Sequence, residues 1–589
     1  IETDAFNEKL RANVKDELKT IATKFVNAHT LPEVLIRRLG KAAEQYLYRP
    51  IDKAANTEKT MQMEAFKKFK AIFDIYSRKE WQSIRADKNI KFGRDEYGKD
   101  RFITKETLLS VALNMGTASN RERVLETYGM DTGPVLQVLD KELSAKDIRF
   151  VQAVWDHINS YWADLNAMNN RLYGRGIGKV EGIKFHLKNG ELDGKYYPIR
   201  YDSETSVRTG DITINEQALQ RMSGAGTFSI GMGSTKSRML TSGGQNLITD
   251  LTVYPKHVSE VIHAIAMREA SVDVYKLISD PDIKSAVVNG LGIDTYRVLR
   301  DWAQDNWKTP IERSGPLSKL MDALQSGNSY ATMAFRNSTA LLNILPNLGV
   351  FYRSMIRLSG DKMMEGAFQA RRALASLYLT GNYAKQKEFI MEKSAFLRDR
   401  QSTLDADLER GFSLPGEKGR GKLKSLIYDG EFGKNAIDKY AFWFIEKTDL
   451  LFSLPMWLET YKATRDSYIG SKLTTEQIDA EAVAKADQMV RQYYGSGEIK
   501  DRSPVMKNKV IRMFTPFYTY SATMLNRFIE SGYLAVDSHN YKPLVLDTLC
   551  LGLLVGSMEG LTRYAMNRAT GKDDSLWEEI VNSVLTGNF

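Results

Sequence analysis

Apolar residues recur at every third or fourth position along most of this 589-residue chain, a spacing that places them on one face of a helix. One such run contains Phe66, Phe69, Ile72, Phe73 and Tyr76. Proline, which removes a backbone donor and breaks helices, occurs only 14 times. The sequence therefore predicts a mainly α fold, and its length favours several domains over a single core.

Residues 174–253 differ from the rest in composition and pattern, because they are rich in glycine and alternate between apolar and polar side chains. The pair Asn189-Gly190 stands between two such alternating runs, which is typical of a β-hairpin. A shorter break at residues 87–101 indicates a loop or a short hairpin. The predicted fold class is thus an elongated, multi-domain helical protein with a small β-containing insert.

These changes of pattern divide the chain into six segments. They are an N-terminal helical domain (1–128), a helical connector (129–173), the glycine-rich insert (174–253), a central helical domain (254–410), a flexible linker (411–425) and a C-terminal helical domain (426–589).

Two stretches approach the apolar character of a membrane-spanning helix. Residues 341–358 contain two arginines, and residues 544–561 contain Asp547 and Glu559. Because a spanning helix needs about 20 mostly apolar residues, we expect buried core helices, or a helix that inserts only after a conformational change. The side chains predicted to contact a membrane or to line a channel are Leu544, Leu549, Leu553 and Val555.

Motifs that carry chemistry are weak in this chain. Residues 231–237 end like a phosphate-binding loop, but Thr235 stands where that motif requires glycine. His257 and His263 are six apart, whereas two zinc ligands on one helix face are four apart. The single cysteine, Cys550, excludes an internal disulfide. We therefore predict no catalytic residue, no metal ligand and no cofactor, and expect that the protein is not an enzyme.

The chain has a net charge of +9, which suits contact with a polyanion without requiring it. Aromatic and basic residues alternate near position 515, where they are able to stack on bases or form an ordinary helix–helix core. The residues predicted to contact nucleic acid, if the first reading holds, are Arg512, Phe514, Phe517, Tyr520 and Arg527.

From about residue 100 to its end, the chain carries an ordered series of short motifs. They lie at residues 112–121, 194–202, 257–274, 394–400, 449–457 and 514–520. In this order the motifs resemble those of the large polyvalent proteins of tailed bacteriophages, whose virion-associated chains share an extended helical region. The resemblance supplies no catalytic residue.

The resemblance implies a structural protein of the virion interior, packaged in the capsid and ejected with the genome to help form a DNA-delivery conduit across the host envelope. The partners it implies are portal or core proteins, double-stranded phage DNA, further copies of the chain and, after ejection, the host inner membrane. The protein would then lie in the host envelope or cytoplasm. An alternative is a nucleic-acid-binding accessory region of a larger packaged enzyme, and a second rival is an enzyme that uses residues 174–253.

Overall fold

The computed structural model describes residues 26, 28–94, 97–199, 247, 249–307, 337–400, 443–496, 498–507, 518–569 and 575–586. Within them the chain is mainly helical and carries two small antiparallel sheets. The predicted class, mainly α with a small β-containing insert, is confirmed. The predicted linker at 411–425 and the loop at 231–237 lie outside the described residues.

Buried apolar side chains form clusters that lie either before residue 308 or after residue 336, and these clusters define an N-terminal and a C-terminal lobe. The helices of the N-terminal lobe are α1 (Pro32–Arg38), α2 (Lys41–Ala43), a π-helical turn (Glu44–Tyr48), α3 (Arg49–Phe73), α4 (Arg78–Ala86), α5 (Lys105–Asn114), α6 (Ala118–Tyr128), α7 (Thr132–Glu142), α8 (Ala145–Ser160), α9 (Trp162–Tyr173), α10 (Val253–Ser279), α11 (Pro281–Leu291) and α12 (Ile293–Trp307). Its strands are β1 (Ile90–Arg94), β2 (Asp100–Ile103), β3 (Lys184–Leu187) and β4 (Gly190–Asp193).

The C-terminal lobe is helical throughout its described residues. Its elements are α13 (Asn337–Leu358), α14 (Met363–Tyr378), α15 (Tyr383–Lys393), α16 (Ala395–Arg400), α17 (Trp443–Ser467), α18 (Thr475–Tyr494), a 3-10 turn (Ile499–Asp501), α19 (Pro504–Lys507), α20 (Tyr518–Ser538), α21 (Lys542–Asp547), a π-helical turn (Thr548–Leu554), α22 (Val555–Ala569) and α23 (Leu576–Thr586).

Local sequence signals explain where several of these elements begin. Helix α4 starts with a capping box in which Ser77 and Glu80 each bond the other's backbone N–H. Helix α11 starts at the Asp280-Pro281 pair, where the Asp280 carboxylate accepts two backbone N–H groups. The predicted hairpin at Asn189-Gly190 is confirmed, because β3 and β4 pair antiparallel with Leu187 opposite Gly190.

The core of the N-terminal lobe crosses several predicted segment boundaries. A single cluster of buried apolar side chains runs from Ala65 to Ile262 and includes residues of the helices, of both hairpins and of the loop before α10. The predicted boundaries at 128, 173 and 253 therefore do not coincide with a break in this core.

Two of the ordered sequence motifs, at 112–121 and 194–202, meet inside this lobe. The Asn120 amide donates to the backbone carbonyl of Tyr197 at 2.7 Å. A Cβ atom at Gly194 would lie 2.3 Å from the carbonyl oxygen of Ile183 and 2.6 Å from that of Gly116. Only glycine allows this close approach of three backbone segments.

The core of the C-terminal lobe contains a buried carboxyl group, Asp487 on α18. Its Oδ1 accepts hydrogen bonds from the Trp457 indole and the Ser394 hydroxyl, both at 2.6 Å, while Oδ2 is buried without a hydrogen-bond partner. Burial raises the pKa of Asp487 to about 6, against the opposing effect of the Arg491 guanidinium.

We expect the substitution Asp487→Asn to remove a pH dependence of stability. A carboxyl whose pKa is higher in the folded state stabilises the fold fully below its unfolded pKa and loses that contribution as pH rises through about 6. A shift of this size corresponds to on the order of 3 kcal/mol. Urea unfolding at pH 4.5 and 7.5, monitored by tryptophan fluorescence, measures the difference between the variant and the wild type. Asp294→Asn, on an exposed carboxylate, is the control, and an equal pH response of Asp487→Asn and wild type would contradict the assignment.

Candidate functional site

An exposed row of aliphatic side chains runs along the helix formed by α21 and the following π-helical turn. Val545 is 54% exposed, Leu549 41%, Leu553 46% and Leu554 38%, and we call these four residues the C-terminal apolar stripe. Contiguous apolar surface of this kind marks sites that contact a membrane or another protein.

The opposite face of the same helix is buried against α13. Asp547 and Arg353 are both fully buried, and Arg353 Nε lies 2.5 Å from Asp547 Oδ1. Arg353 interrupts the apolar stretch 341–358, and Asp547 interrupts the apolar stretch 544–561. Each stretch therefore supplies the counter-ion of the other. None of the described helices combines the length and apolarity that crossing a membrane requires.

Cations flank the C-terminal apolar stripe. Among residues 541–569 whose side chains the structure describes, the exposed charged groups are Lys542, Arg563 and Arg568. Helix α23 packs beside α22 and carries two further exposed apolar side chains, Trp577 at 73% and Val581 at 47%. Cations and a tryptophan beside an apolar surface suit the interface of a bilayer, and the exposed Glu578 and the half-buried Glu579 of α23 add two negative charges next to Trp577.

Of the four residues predicted from the sequence to contact a membrane, two are exposed and two are not. Leu549 and Leu553 belong to the stripe, and Leu544 is half-buried. Val555 is only 5% exposed, because it packs on Gly349 of α13. Val555 does not reach the surface in this conformation, so its contact with a membrane or channel stays a prediction. Val545 and Leu554 were not predicted, although they stand beside the predicted leucines.

The residues predicted to contact nucleic acid are mostly outside the described part of the chain. Arg512, Phe514 and Phe517 lie outside it, and Tyr520 lies in α20 with its side chain undescribed. Arg527 is 2% exposed, and its guanidinium lies 2.6 Å from the Glu530 carboxylate and stacks on the Tyr493 ring. Arg527 therefore does not reach a nucleic acid in this conformation, because it serves as a buried counter-ion.

A second exposed apolar surface lies on α14 and was not predicted. Met364 is 84% exposed and Phe368 is 69% exposed, and they stand four residues apart on one helix face. Leu379, directly after the helix, is 82% exposed. Beside this face, a groove of about 460 Å³ runs between α14 and α17. The Glu459 carboxylate of that groove already contacts Arg372 at 3.3 Å and Lys462 at 3.2 Å.

Buried histidines have protein partners rather than metal-site geometry. His157 lies 2.5 Å from the Tyr254 hydroxyl and 3.0 Å from the Tyr161 hydroxyl, and burial lowers its pKa to about 4. His263 Nδ1 lies 2.9 Å from a Glu58 carboxylate oxygen. Within the described residues, no group of three or more His, Cys, Asp or Glu side chains is arranged to hold a metal ion.

Comparison with known proteins adds no relative: no family model, no curated protein and no solved structure matches the chain. The resemblance to large polyvalent phage proteins therefore stays a prediction. Function has to be inferred from the surfaces and contacts described above.

Proposed function

We propose that this chain is an internal virion protein of a tailed bacteriophage, packaged in the capsid and ejected with the genome to help form a DNA-delivery conduit across the host envelope. The observation that carries the proposal is the C-terminal apolar stripe, because an exposed aliphatic helix surface beside cations fits a membrane interface. The ordered motifs that resemble phage proteins supply the virion context.

The stripe favours a helix that lies in the plane of the membrane. Its four aliphatic side chains occupy one face only, and the other face holds the buried Arg353–Asp547 pair. Transfer of that pair into hydrocarbon would expose two charges to an apolar medium, at a cost of several kcal/mol. We therefore assign the stripe to contact with headgroups and upper acyl chains while the lobe stays folded.

The first test is flotation of the full chain with vesicles of phosphatidylethanolamine and phosphatidylglycerol. We expect the double variant Leu549→Glu/Leu553→Glu to bind roughly thirtyfold more weakly than the wild type, since removing two half-exposed leucines from the contact costs about 1 kcal/mol each. The substitution lies on the exposed face, so the helical content measured by circular dichroism should not change.

The control is Ile469→Glu, which adds one carboxylate at a side chain that is 81% exposed, lies in the C-terminal lobe and does not belong to the stripe. If the double variant binds anionic vesicles as strongly as the wild type does, the stripe is not the contact with the membrane. Absence of wild-type binding would refute envelope contact by this lobe.

The virion location is tested separately by mass spectrometry of purified particles of the phage that encodes the chain. We expect the chain in DNA-filled particles and its loss, together with the genome, from particles triggered to eject in vitro. A chain found only in infected-cell extracts would overturn the virion assignment and leave the membrane result unaffected.

A further inference from the structure

Buried charges are concentrated where the two lobes meet. We call this contact the ionic seam. Its charged members are Glu33, Arg37, Asp52 and Lys59 from the N-terminal lobe and Arg491, Glu498, Lys500, Asp501 and Glu530 from the C-terminal lobe.

At the centre of the ionic seam, Asp52 on α3 meets two cations of the other lobe. Arg491 Nη2 lies 2.9 Å and Lys500 Nζ lies 3.3 Å from Asp52 Oδ1. The Lys500 side chain is 1% exposed, the Arg491 side chain 2% and the Asp52 side chain 4%. The central contact between the lobes is therefore a buried cluster of charges.

Further polar contacts surround this centre. Lys59 Nζ lies 2.6 Å from a Glu498 carboxylate oxygen, and Arg37 Nη1 lies 2.7 Å from a Glu530 carboxylate oxygen. The Tyr48 hydroxyl donates to Asp501 at 2.7 Å. These contacts join residues more than four hundred positions apart in the sequence.

Neutral polar groups complete the ionic seam. The Gln488 and Gln492 amides both donate to Glu33 Oε1, at 2.7 and 2.6 Å. The Trp302 indole donates to the backbone carbonyl of Lys500 at 2.9 Å.

Apolar packing does not join the lobes in the same way. Among the described residues, the apolar clusters draw their side chains from one lobe or from the other, and none contains members of both. Because burial of apolar area is the main driving force for folding, each lobe has its own source of stability. The described contacts between the lobes are mainly ion pairs and hydrogen bonds.

Two carboxyl groups of the ionic seam, Glu498 and Glu530, are ionised at neutral pH. Burial alone would raise the pKa of Glu530, but Arg37, Arg527 and Arg357 lower it to about 2. Burial likewise opposes ionisation of Glu498, yet Lys500, Lys59 and Arg491 lower its pKa. Both groups are therefore carboxylates at pH 7.

The net stabilisation from buried ion pairs is small. Desolvation of buried ions offsets most of their attraction unless directed hydrogen bonds satisfy the remaining polar atoms. All three guanidinium nitrogens of Arg491 are buried without a hydrogen bond of good geometry, although one lies 2.9 Å from Asp52. Charge attraction thus holds Arg491 in place. When the lobes part, water would hydrate its guanidinium again.

We propose that the ionic seam is a reversible joint, at which the two lobes separate and close again as folded units. Within the part of the chain that the structure describes, the ionic seam is held less strongly than the apolar cores. Separated lobes present their seam charges to water, where hydration replaces the lost ion pairs. This inference concerns how the lobes are joined and does not rest on the proposed function.

The test is the charge reversal Asp52→Lys, which places a third cation against Arg491 and Lys500. We expect small-angle X-ray scattering to show a shift of the pair-distance distribution to longer distances. Hydrogen exchange should become about tenfold faster or more at α1 and at the 3-10 turn Ile499–Asp501, while amides of the two apolar cores around Phe150 and Trp457 keep their protection. Calorimetry should resolve two transitions.

Two further variants separate this result from simple misfolding. Asp294→Lys makes the same substitution at an exposed carboxylate of α12 and should leave scattering and exchange unchanged. The charge swap Asp52→Lys/Arg491→Asp restores an opposite pair at the centre and should recover the compact distribution. Loss of protection in both cores of Asp52→Lys, or retention of the wild-type distribution and exchange, would overturn the proposal, as would failure of the swap to restore compactness.

Discussion

Replacing Arg353 by methionine is expected to destabilise the C-terminal lobe by about 3–5 kcal/mol, because it leaves the Asp547 carboxylate buried without its counter-ion. Both side chains are fully buried, and Arg353 also contacts Asp361 at 2.9 Å. Guanidinium chloride unfolding, followed by far-ultraviolet circular dichroism, measures the change. The double variant Arg353→Met/Asp547→Leu, which removes both charges, should recover most of the lost stability.

The matched control is Arg300→Met, which removes an arginine whose partner Asp301 is exposed. Exposed pairs contribute only about 0–1 kcal/mol, so the control should change the free energy of unfolding little. A loss for Arg353→Met no larger than for Arg300→Met would show that Asp547 is not a buried, charged partner.

The second large effect is expected for Gly194→Ala in the N-terminal lobe. The added Cβ would lie 2.3 Å from the Ile183 carbonyl oxygen, 2.6 Å from the Gly116 carbonyl oxygen and 2.8 Å from the Gly116 Cα. These are backbone atoms and cannot rotate away, so the strands and loop must shift, at a cost of about 3 kcal/mol. Thermal unfolding of the variant should show a lower midpoint for the N-terminal lobe.

The control for this prediction is Gly178→Ala, since a Cβ at Gly178 has no heavy atom within 4 Å. Its midpoint should match that of the wild type within the error of the measurement. If Gly194→Ala unfolds at the same temperature as Gly178→Ala, the close approach of the three backbone segments is not present in solution.

Local features of the fold could be predicted from the sequence because they depend on few neighbouring residues. The hairpin at Asn189-Gly190 needs only a turn that tolerates positive φ and two alternating runs. The start of α11 needs only the carboxylate of Asp280 and the fixed φ of Pro281.

The orientation of helix faces could not be predicted in the same way. Apolar periodicity does not distinguish a face covered by the same chain from a face open to a partner. Leu554 and Val555 are adjacent aliphatic residues, yet Leu554 is 38% exposed and Val555 only 5%. The burial of Arg527 was likewise not predictable, because Gln492 and Tyr493, which contact its guanidinium, lie in another helix.

The ionic seam was beyond sequence reasoning for a related reason. Asp52 and Arg491 each look like an ordinary charge on an amphipathic helix, and such charges are usually solvated. Their pairing depends on the docking of two lobes, which local patterns do not encode. The mainly α class, by contrast, followed from the periodicity of the whole chain.

The π-helical turn Thr548–Leu554 sets the phase of the helix that contains it. In a regular α-helix, residues eight apart diverge by about 80° around the axis, so Asp547 and Val555 would not both face α13. The wider turn absorbs one residue and cancels most of that divergence. Asp547 can then meet Arg353 while Val555 meets Gly349. The same correction keeps Val545, Leu549 and Leu553 aligned on the exposed side of the helix. A single added residue thus keeps one face of the helix against α13 and the other face at the surface.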